Sequence, residues 1–379
     1  MKRVVLLGAG LVGRAIAADL QKEDGLQLTV VDRDGERLKS LEARGIRTLV
    51  GDVLSDSVLR REIAGSDLVV GALPGYLGYR VLENLLKMGC SVVDISFFPE
   101  DPWPLDPLAR KHGCFALIDA GVAPGVSNLA AGYFAARVDR VTSLRIFVGG
   151  LPVDRTPPLE YRAPFSPSDV LEEYVRPARV VRNGKLEIKP PLSEVELVEF
   201  PEAGTLEAFL TDGLRTLLRT LSAEEMEEKT LRYPGHAEKI RLLKDLGLLD
   251  DREIPVGKDA IAPRKLLARL LEERLVLRSG EEDIVVMRVE AEGIDAGDLQ
   301  RTFRLELIDR YDAKTGLSAM ARTTGFTAAL LARLALKGKI QHNGLLPPER
   351  LGREEELYSF VIRGLQERGI TIIQQFGGQ

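Results

Sequence analysis

The chain has 379 residues, 45% of them hydrophobic and 29% charged, a globular balance with more residues than one ordinary core accommodates, so two domains are expected. Its net charge of −5 argues against a nucleic-acid partner, and it has no apolar run long enough to span a bilayer. Met1-Lys2-Arg3 leads straight into a strand rather than a secretory leader, and Cys90 and Cys114 read as small buried residues with no metal-binding spacing around them, so no metal and a cytoplasmic setting are expected.

Val4-Val5-Leu6-Leu7 reads as a buried parallel strand, and Gly8-Ala9-Gly10-Leu11-Val12-Gly13 follows it. Gly8 permits a tight turn, Gly10 lets a pyrophosphate approach the backbone, and Gly13 lets the next helix lie close on the sheet. Arg14–Leu20 is that helix, and its N-terminal N–H groups suit phosphates. The next strand, Leu26–Val31, ends at Asp32, where a carboxylate accepts from a ribose 2′-hydroxyl and repels a 2′-phosphate. Arg33 can pair a 2′-phosphate, so the expected cofactor is NAD with NADP possible. Leu11, Val12 and Asp52 belong to the same expected cofactor set.

Strand-like segments at Ile46–Val50, Leu68–Gly71, Ser91–Ile95 and Cys114–Ile118 alternate with helix-like segments at Glu36–Ala43, Ser57–Ile63, Val81–Met88 and Val126–Arg137. This alternation predicts a Rossmann-type, doubly wound parallel sheet. Three loops fall on its ligand-binding edge. Ala72-Leu73-Pro74 is expected to cover the ribose and phosphates. Asp94 either orients a proton-transfer group or caps a turn. Asp119 opens a glycine-rich loop whose Gly121, Val122 and Pro124 are expected near the nicotinamide.

The pattern then changes. Leu144–Val148, Val195–Phe200, Leu206–Leu210, Glu228–Tyr233, Ile284–Ala291, Thr302–Tyr311 and Leu317–Thr323 read as strands of a mixed or antiparallel sheet in an α+β domain. Ala328–Leu336 and Glu354–Glu367 read as helices, and Ile370–Ile373 as a short strand. The tail is expected to pack back on the first domain. The expected domains are therefore 1–122 plus 324–379, for the dinucleotide, and 123–323, for substrate and oligomerisation. Candidate chemistry in the second comprises Glu160 for a cationic amine, Tyr161 and Thr211 as hydrogen-bonding groups, Arg215 and Arg232 as carboxylate clamps, and His236 as a proton relay.

Together these segments resemble the saccharopine dehydrogenase superfamily, nearest its lysine 6-dehydrogenase branch. The resemblance is carried by Leu6–Gly13, Ala72–Gly78, Asp119–Asn128, Val148–Pro152, Pro158–Tyr161, Pro177–Gly184, Leu192–Val195, Thr211–Leu217, Thr230–Lys239 and Thr323–Ala329. It implies an NAD(P)-dependent enzyme that interconverts an amine and an imine or carbonyl, and association through the second sheet as a homodimer or larger homo-oligomer. Two departures from saccharopine-forming members, Ala123 for an acid and Glu160 for glycine, favour a smaller amino-acid substrate. The implied reaction is oxidative deamination of the L-lysine ε-amine to the 6-semialdehyde, which cyclises to piperideine-6-carboxylate, with ammonia released. His236, Asp119 and Asp94 are the candidates for base or orienting group. Arg215 and Arg232 would hold the α-carboxylate, and Tyr161 with Thr211 would align the chain. The alternatives are saccharopine oxidoreduction, another amino-acid or diamine C–N oxidoreductase, and, because the first 72 residues also resemble nucleotide-sensing domains, a non-catalytic NAD sensor.

Overall fold

The computed structural model describes residues 1–54, 57–163, 167–278 and 280–378. The chain forms two units, one of Met1–Tyr133 with Ala321–Ile370 and one of Phe134–Met320 with Thr371–Gln379.

It opens as a βα alternation: β1 (Lys2–Leu7), α1 (Leu11–Leu20), β2 (Leu26–Asp32), α2 (Gly35–Glu42), β3 (Arg47–Val50), α3 (Ser57–Ala64), β4 (Leu68–Gly71), α4 (Gly75–Lys87), β5 (Val92–Asp94), α5 (Leu105–Lys111), β6 (Phe115–Leu117) and α6 (Val126–Ala135). Next come β7 (Arg140–Pro152), α7 (Pro167–Val175), β8 (Ala178–Arg182), β9 (Lys185–Lys189), β10 (Glu196–Phe200), β11 (Gly204–Leu210), α8 (Leu217–Thr220), β12 (Ala223–Arg232), α9 (His236–Asp245), β13 (Ile254–Val256), β14 (Asp259–Ile261), α10 (Pro263–Leu275), β15 (Asp283–Ile294) and β16 (Gln300–Arg310). The chain returns through α11 (Ala319–Leu336), β17 (Gly344–Leu346), α12 (Pro348–Gly352) and α13 (Glu355–Glu367), and ends in β18 (Thr371–Gly378).

In the first unit seven parallel strands lie in the order β17-β6-β5-β4-β1-β2-β3. Strands buried on both faces need continuous apolar runs; Val4, Val5, Leu6 and Leu7 of β1 and Leu68, Val69 and Val70 of β4 are at most 2% exposed. Strand order reverses between β1 and β4, the switch point where open sheets take ligands.

In the second unit the order is β10-β11-β12-β7-β15-β16-β18, with the β8–β9 hairpin joined to β12. β7 and β12 run parallel and the remaining pairs are antiparallel, so the sheet is mixed. Leu159, Tyr161, Tyr174, Phe209 and Ile240 belong to one apolar cluster of this unit.

Three expectations change. Leu317–Thr323 is not a strand: α11 begins at Ala319, because the carboxylate of Asp283 accepts from the Ala319 and Met320 N–H groups (2.6 and 3.1 Å) and starts a helix that the alanine-rich run continues. The first unit extends past residue 122, because α6 packs with it up to Tyr133. The last strand leaves the first unit: Thr371–Gly378 pairs antiparallel with β16 from Ile308↔Thr371 to Arg301↔Gly378.

Candidate active site

In the first unit the candidate residues gather at the turn between β1 and α1. Gly8 has φ +103°, and a Cβ there would lie 2.3 Å from the Ala72 carbonyl oxygen. A Cβ on Gly13 would lie 2.0 Å from the Gly8 oxygen, so side chains at either position would push turn, helix and the β4 loop apart. Gly10 is the opposite case: its Cβ would meet nothing within 4 Å. It caps α1 without a side-chain hydrogen bond, which leaves the first N–H groups of the helix available to an anion. Leu11 is exposed and Val12 half-buried beside it. Asp32 is locked in place: its Oδ2 accepts from Ala9 N (2.7 Å) and its Oδ1 from Asp34 N (2.8 Å). Ionised carboxylate oxygens have further lone pairs, so it can still accept from a ribose hydroxyl. Ala72 N donates to the Leu7 oxygen (2.8 Å), setting Ala72, half-buried Leu73 and exposed Pro74 beside the glycine turn. Open space at the helix terminus, oriented N–H groups and a fixed carboxylate fit a nicotinamide dinucleotide. Arg33 and Asp52 are exposed, and Asp52 accepts from Leu54 N (2.9 Å).

Two strands along, Asp94 packs against Gly71, where a Cβ would sit 2.1 Å from Asp94 Oδ1. That oxygen accepts from Ser96 Oγ (3.0 Å), and the Asp94 carbonyl accepts from Ala120 N (3.0 Å). Asp94 therefore ties the end of β5 to the loop after β6. In that loop Asp119 is buried at φ +54°, the Ala123–Pro124 peptide is cis, and Gly121 and Val122 are buried. The Gly121 carbonyl accepts from Val126 N (3.1 Å) at the start of α6.

The other unit has its own cluster of candidate residues, around β12 and α9. His236, 1% exposed, spends both ring nitrogens within the chain: Nδ1 on the Leu159 carbonyl (3.1 Å) and Nε2 on Tyr174 Oη (2.9 Å). With Nδ1 donating, Nε2 accepts from the tyrosine. Burial, aided by the nearby Arg232 charge, pushes this imidazole down to about 3, so it stays neutral at physiological pH. Burial also pushes the Tyr174 phenol up to about 12 and raises Tyr161. The Arg232 guanidinium lies 4.2 Å from the centroid of the Tyr161 ring and donates to Glu173 (2.8 Å) and to the Leu231 carbonyl (2.9 Å). Its Nε is buried without a hydrogen-bond partner. Glu207 accepts from Gly235 N (2.9 Å) and Ala237 N (2.7 Å), a carboxylate at the N-terminus of α9 where the helix dipole favours it.

Thr211 Oγ1 lies 2.6 Å from Glu228 Oε2 and 2.7 Å from Thr230 Oγ1. Glu228 is 4% exposed, and burial pushes its carboxyl up to about 8. It fills the space beside Gly213, where a Cβ would sit 2.4 Å from its carboxyl carbon.

Glu160 is not left open to a substrate amine: Arg155 bonds it at 2.7 Å and Lys239 at 3.1 Å, and the two cations hold its carboxyl below the usual range. Arg232 likewise already carries the carboxylate of Glu173. Arg215, 9% exposed, Glu160 and Asp119 all adopt left-handed backbone angles, at φ +52°, +51° and +54°, strain that persists where the surroundings hold a residue in one orientation. Tyr161, Arg232 and His236 are thus brought together, with Glu160 tied to the same helix, α9, through Lys239. Tyr174, Glu173 and Glu228 join them without having been read from the sequence. Glu228 had a usable signal: it shares a strand face with Thr230 and Arg232 at spacings of two and four, but it closes the acidic run Glu224–Glu228, in which one carboxylate does not stand out from the next. Tyr174 sits on α7 with no local pattern to mark it. Among the described residues no group of three or more His, Cys, Asp or Glu is placed to hold a metal ion.

Residues 4–117 match the family model for the saccharopine dehydrogenase NADP binding domain, and residues 121–370 the model for the saccharopine dehydrogenase C-terminal domain. The saccharopine dehydrogenase [NADP(+), L-glutamate-forming] of Saccharomyces cerevisiae is 26% identical over 92% of this chain and 94% of its own. Its counterpart in Pyricularia oryzae is 25% identical over 92% and 93%. The mitochondrial alpha-aminoadipic semialdehyde synthase of Bos taurus is 24% identical over 99% of this chain, which spans 48% of that protein. The apo saccharopine dehydrogenase (L-Glu forming) structure from Saccharomyces cerevisiae has the same fold, with a TM-score of 0.82 at 23% identity over the full length of both chains. Both halves of the fold and both family models agree: this chain belongs to the saccharopine dehydrogenase family.

Proposed function

We propose that this chain is a nicotinamide-dinucleotide-dependent dehydrogenase acting on the Cε–N bond of a lysine skeleton. The observation that carries the reading is the dinucleotide cradle at Gly8–Gly13 and Asp32, on a chain whose relatives are named for glutamate-forming oxidation of saccharopine and for a semialdehyde product. A bound dinucleotide supplies the two-electron acceptor. The protein's part is to bind, orient and deprotonate. The α1 N-terminus at Gly10–Gly13 would hold the pyrophosphate and Asp32 the adenosine ribose, with Ala72–Pro74 and the Gly121–Pro124 loop completing the cradle.

The family model and the fungal relatives are named for NADP, whereas a fixed carboxylate at the end of β2 favours NAD. Asp32 belongs to this chain and is anchored from both oxygens, so NAD is the proposed cofactor. The reacting amine must be uncharged. A free lysine amine titrates near 10.4, so a base is needed at neutral pH, and Asp119 and Asp94 are the proposed candidates. His236 is better suited to positioning Tyr174 and the Leu159–Tyr161 loop, since both its nitrogens are used.

Saccharopine is the first substrate reading, on the strength of the relatives' names. L-Lysine is the second. Saccharopine carries several carboxylates, whereas Arg155, Lys239 and Arg232 are each committed to a carboxylate of this chain; lysine asks for fewer clamps. The test is reduced-nicotinamide formation with saccharopine, L-lysine and ornithine, each with NAD and NADP, at neutral and alkaline pH. Turnover of saccharopine with glutamate release supports the first reading. Turnover of lysine with ammonia release, faster at alkaline pH, supports the second. Dinucleotide binding with no turnover of any amine would overturn both.

A further inference from the structure

We infer that Thr324, on α11, is a dinucleotide-binding residue whose hydroxyl takes the ribose on the nicotinamide side of the cofactor. The inference rests on the dinucleotide cradle proposed above, and it assigns a residue to the stretch between the glycine turn and the Gly121–Pro124 loop.

Within the first unit α11 lies against both of those segments at once. Gly325 faces the start of α1: a Cβ there would lie 3.0 Å from Ala15 Cβ, 3.2 Å from the Val12 carbonyl oxygen and 3.3 Å from Ile16 N. Its neighbour Thr324 faces the other segment. A Cβ on Gly121 would lie 3.3 Å from Thr324 Cγ2, 4.0 Å from its Oγ1 and 3.1 Å from the Pro124 carbonyl oxygen. The absence of a side chain at 121 and 325 is what brings helix and loops this close. Consecutive residues of one helix therefore touch the turn proposed to hold the pyrophosphate and the loop proposed to lie near the nicotinamide. In a nicotinamide dinucleotide the group between those two is a ribose.

Exposure separates Thr324 from its neighbours. α11 holds three threonines. Thr323 and Thr327 are 0% exposed, and Thr327 Oγ1 donates to the Thr323 carbonyl (2.7 Å). Thr324 is only half-buried. Cγ2 is its nearer atom to Gly121, so the methyl packs on the loop and leaves Oγ1 beside it. A helical threonine commonly donates its proton to the carbonyl four residues earlier, as Thr327 does. The oxygen of such a hydroxyl keeps its lone pairs. It accepts from a ribose hydroxyl and has no proton to offer a phosphate, which makes the ribose the fitting partner.

The experiment is isothermal titration calorimetry on the full chain with three ligands of increasing length. ADP ends at the pyrophosphate, ADP-ribose adds the second ribose, and NAD adds the nicotinamide. The same three ligands carrying a 2′-phosphate on the adenosine are run in parallel, so that a preference for NADP does not decide the outcome. Thr324→Val keeps the branched shape and removes the hydroxyl. It should weaken NAD and ADP-ribose by about 5-fold, the worth of one neutral hydrogen bond, and leave ADP unchanged, which also shows that the variant is folded. Thr324→Ser keeps the hydroxyl and should restore the binding of both longer ligands. NAD and ADP-ribose binding unchanged in Thr324→Val would overturn the inference. So would equal weakening of all three ligands, which would place the effect in the packing of α11 on the glycine turn. A Ser variant as weak as the Val variant would overturn it too, since the methyl contact with Gly121 would then be the cause. A wild type that binds none of the ligands would overturn the dinucleotide reading itself.

Discussion

His236 and Glu228 are buried titratable residues whose effects on stability have opposite pH dependence. The ordinary imidazole value of 6.5 falls to about 3 on folding. Between those limits the unfolded chain takes up a proton that the folded chain refuses, so stability is lost as pH falls through that window. Glu228 rises from 4.5 to about 8. Its contribution is full below pH 4.5 and is lost as pH rises through 8, because the unfolded chain releases a proton that the folded chain retains. Each effect is on the order of a few kcal/mol. Glu228→Gln keeps an acceptor for Thr211 and removes the titration, so urea midpoints of this variant should lose the decline that the wild type shows between about pH 6.5 and 8, above the window in which His236 offsets it. A decline of the same slope in both proteins would refute the assignment. The sequence shows neither window. Gly8, Gly10, Gly13 and Asp32 are legible because their roles arise within one βαβ stretch; the burial that sets His236 and Glu228 comes from Tyr174, Phe209 and Thr211, on elements distant in sequence.

Elements show the same division between local and distant causes. Helix α13 and strands β10, β11 and β16 fall close to where periodicity places them, since each carries its own apolar face. The start of α11 does not, because the group that starts it lies 36 residues upstream: the cap of Ala319 is Asp283, on β15. Without that cap in view, Leu317–Thr323 reads as a strand. Asp283→Ala should therefore destabilise the chain by about 1–2 kcal/mol, with Asp283→Asn recovering part of the loss through its remaining acceptor. Chemical denaturation of the three proteins measures this, and an Ala variant as stable as the wild type would remove the capping role. The charged face of the second sheet is a related case. Arg145 on β7 reaches Glu227 on β12 (2.7 Å) and Glu196 on β10, and Arg288 on β15 reaches Glu306 on β16 (2.7 Å). The Arg145–Glu227 and Arg288–Glu306 pairs follow strand register, along the rows Glu227↔Arg145↔Glu290↔Arg304 and Arg288↔Glu306, which the charge alternation of single strands does not disclose.

At the scale of the whole molecule the chain crosses between its two units at Tyr133–Phe134, Met320–Ala321 and Ile370–Thr371, and the dinucleotide cradle belongs to the first alone. Ligand linkage then gives a test of cofactor choice that requires no knowledge of the substrate. At a hundred times its dissociation constant a ligand adds about 2.7 kcal/mol to the state that binds it, roughly 5–10 °C in melting temperature for a unit of this size. With Asp32 anchored by Ala9 and Asp34 and presenting negative charge where a 2′-phosphate would sit, NAD should raise the melting temperature well above what an equal concentration of NADP achieves. Asp32→Asn retains an oxygen acceptor for one of the two backbone N–H groups and removes the charge. It should narrow the gap chiefly by strengthening NADP, and exposed Arg33 is placed to help. A larger shift with NADP in the wild type would mean that the family's usual cofactor prevails despite Asp32. Equal weakening of both ligands in Asp32→Asn would mean that the carboxylate serves the glycine turn rather than the ribose.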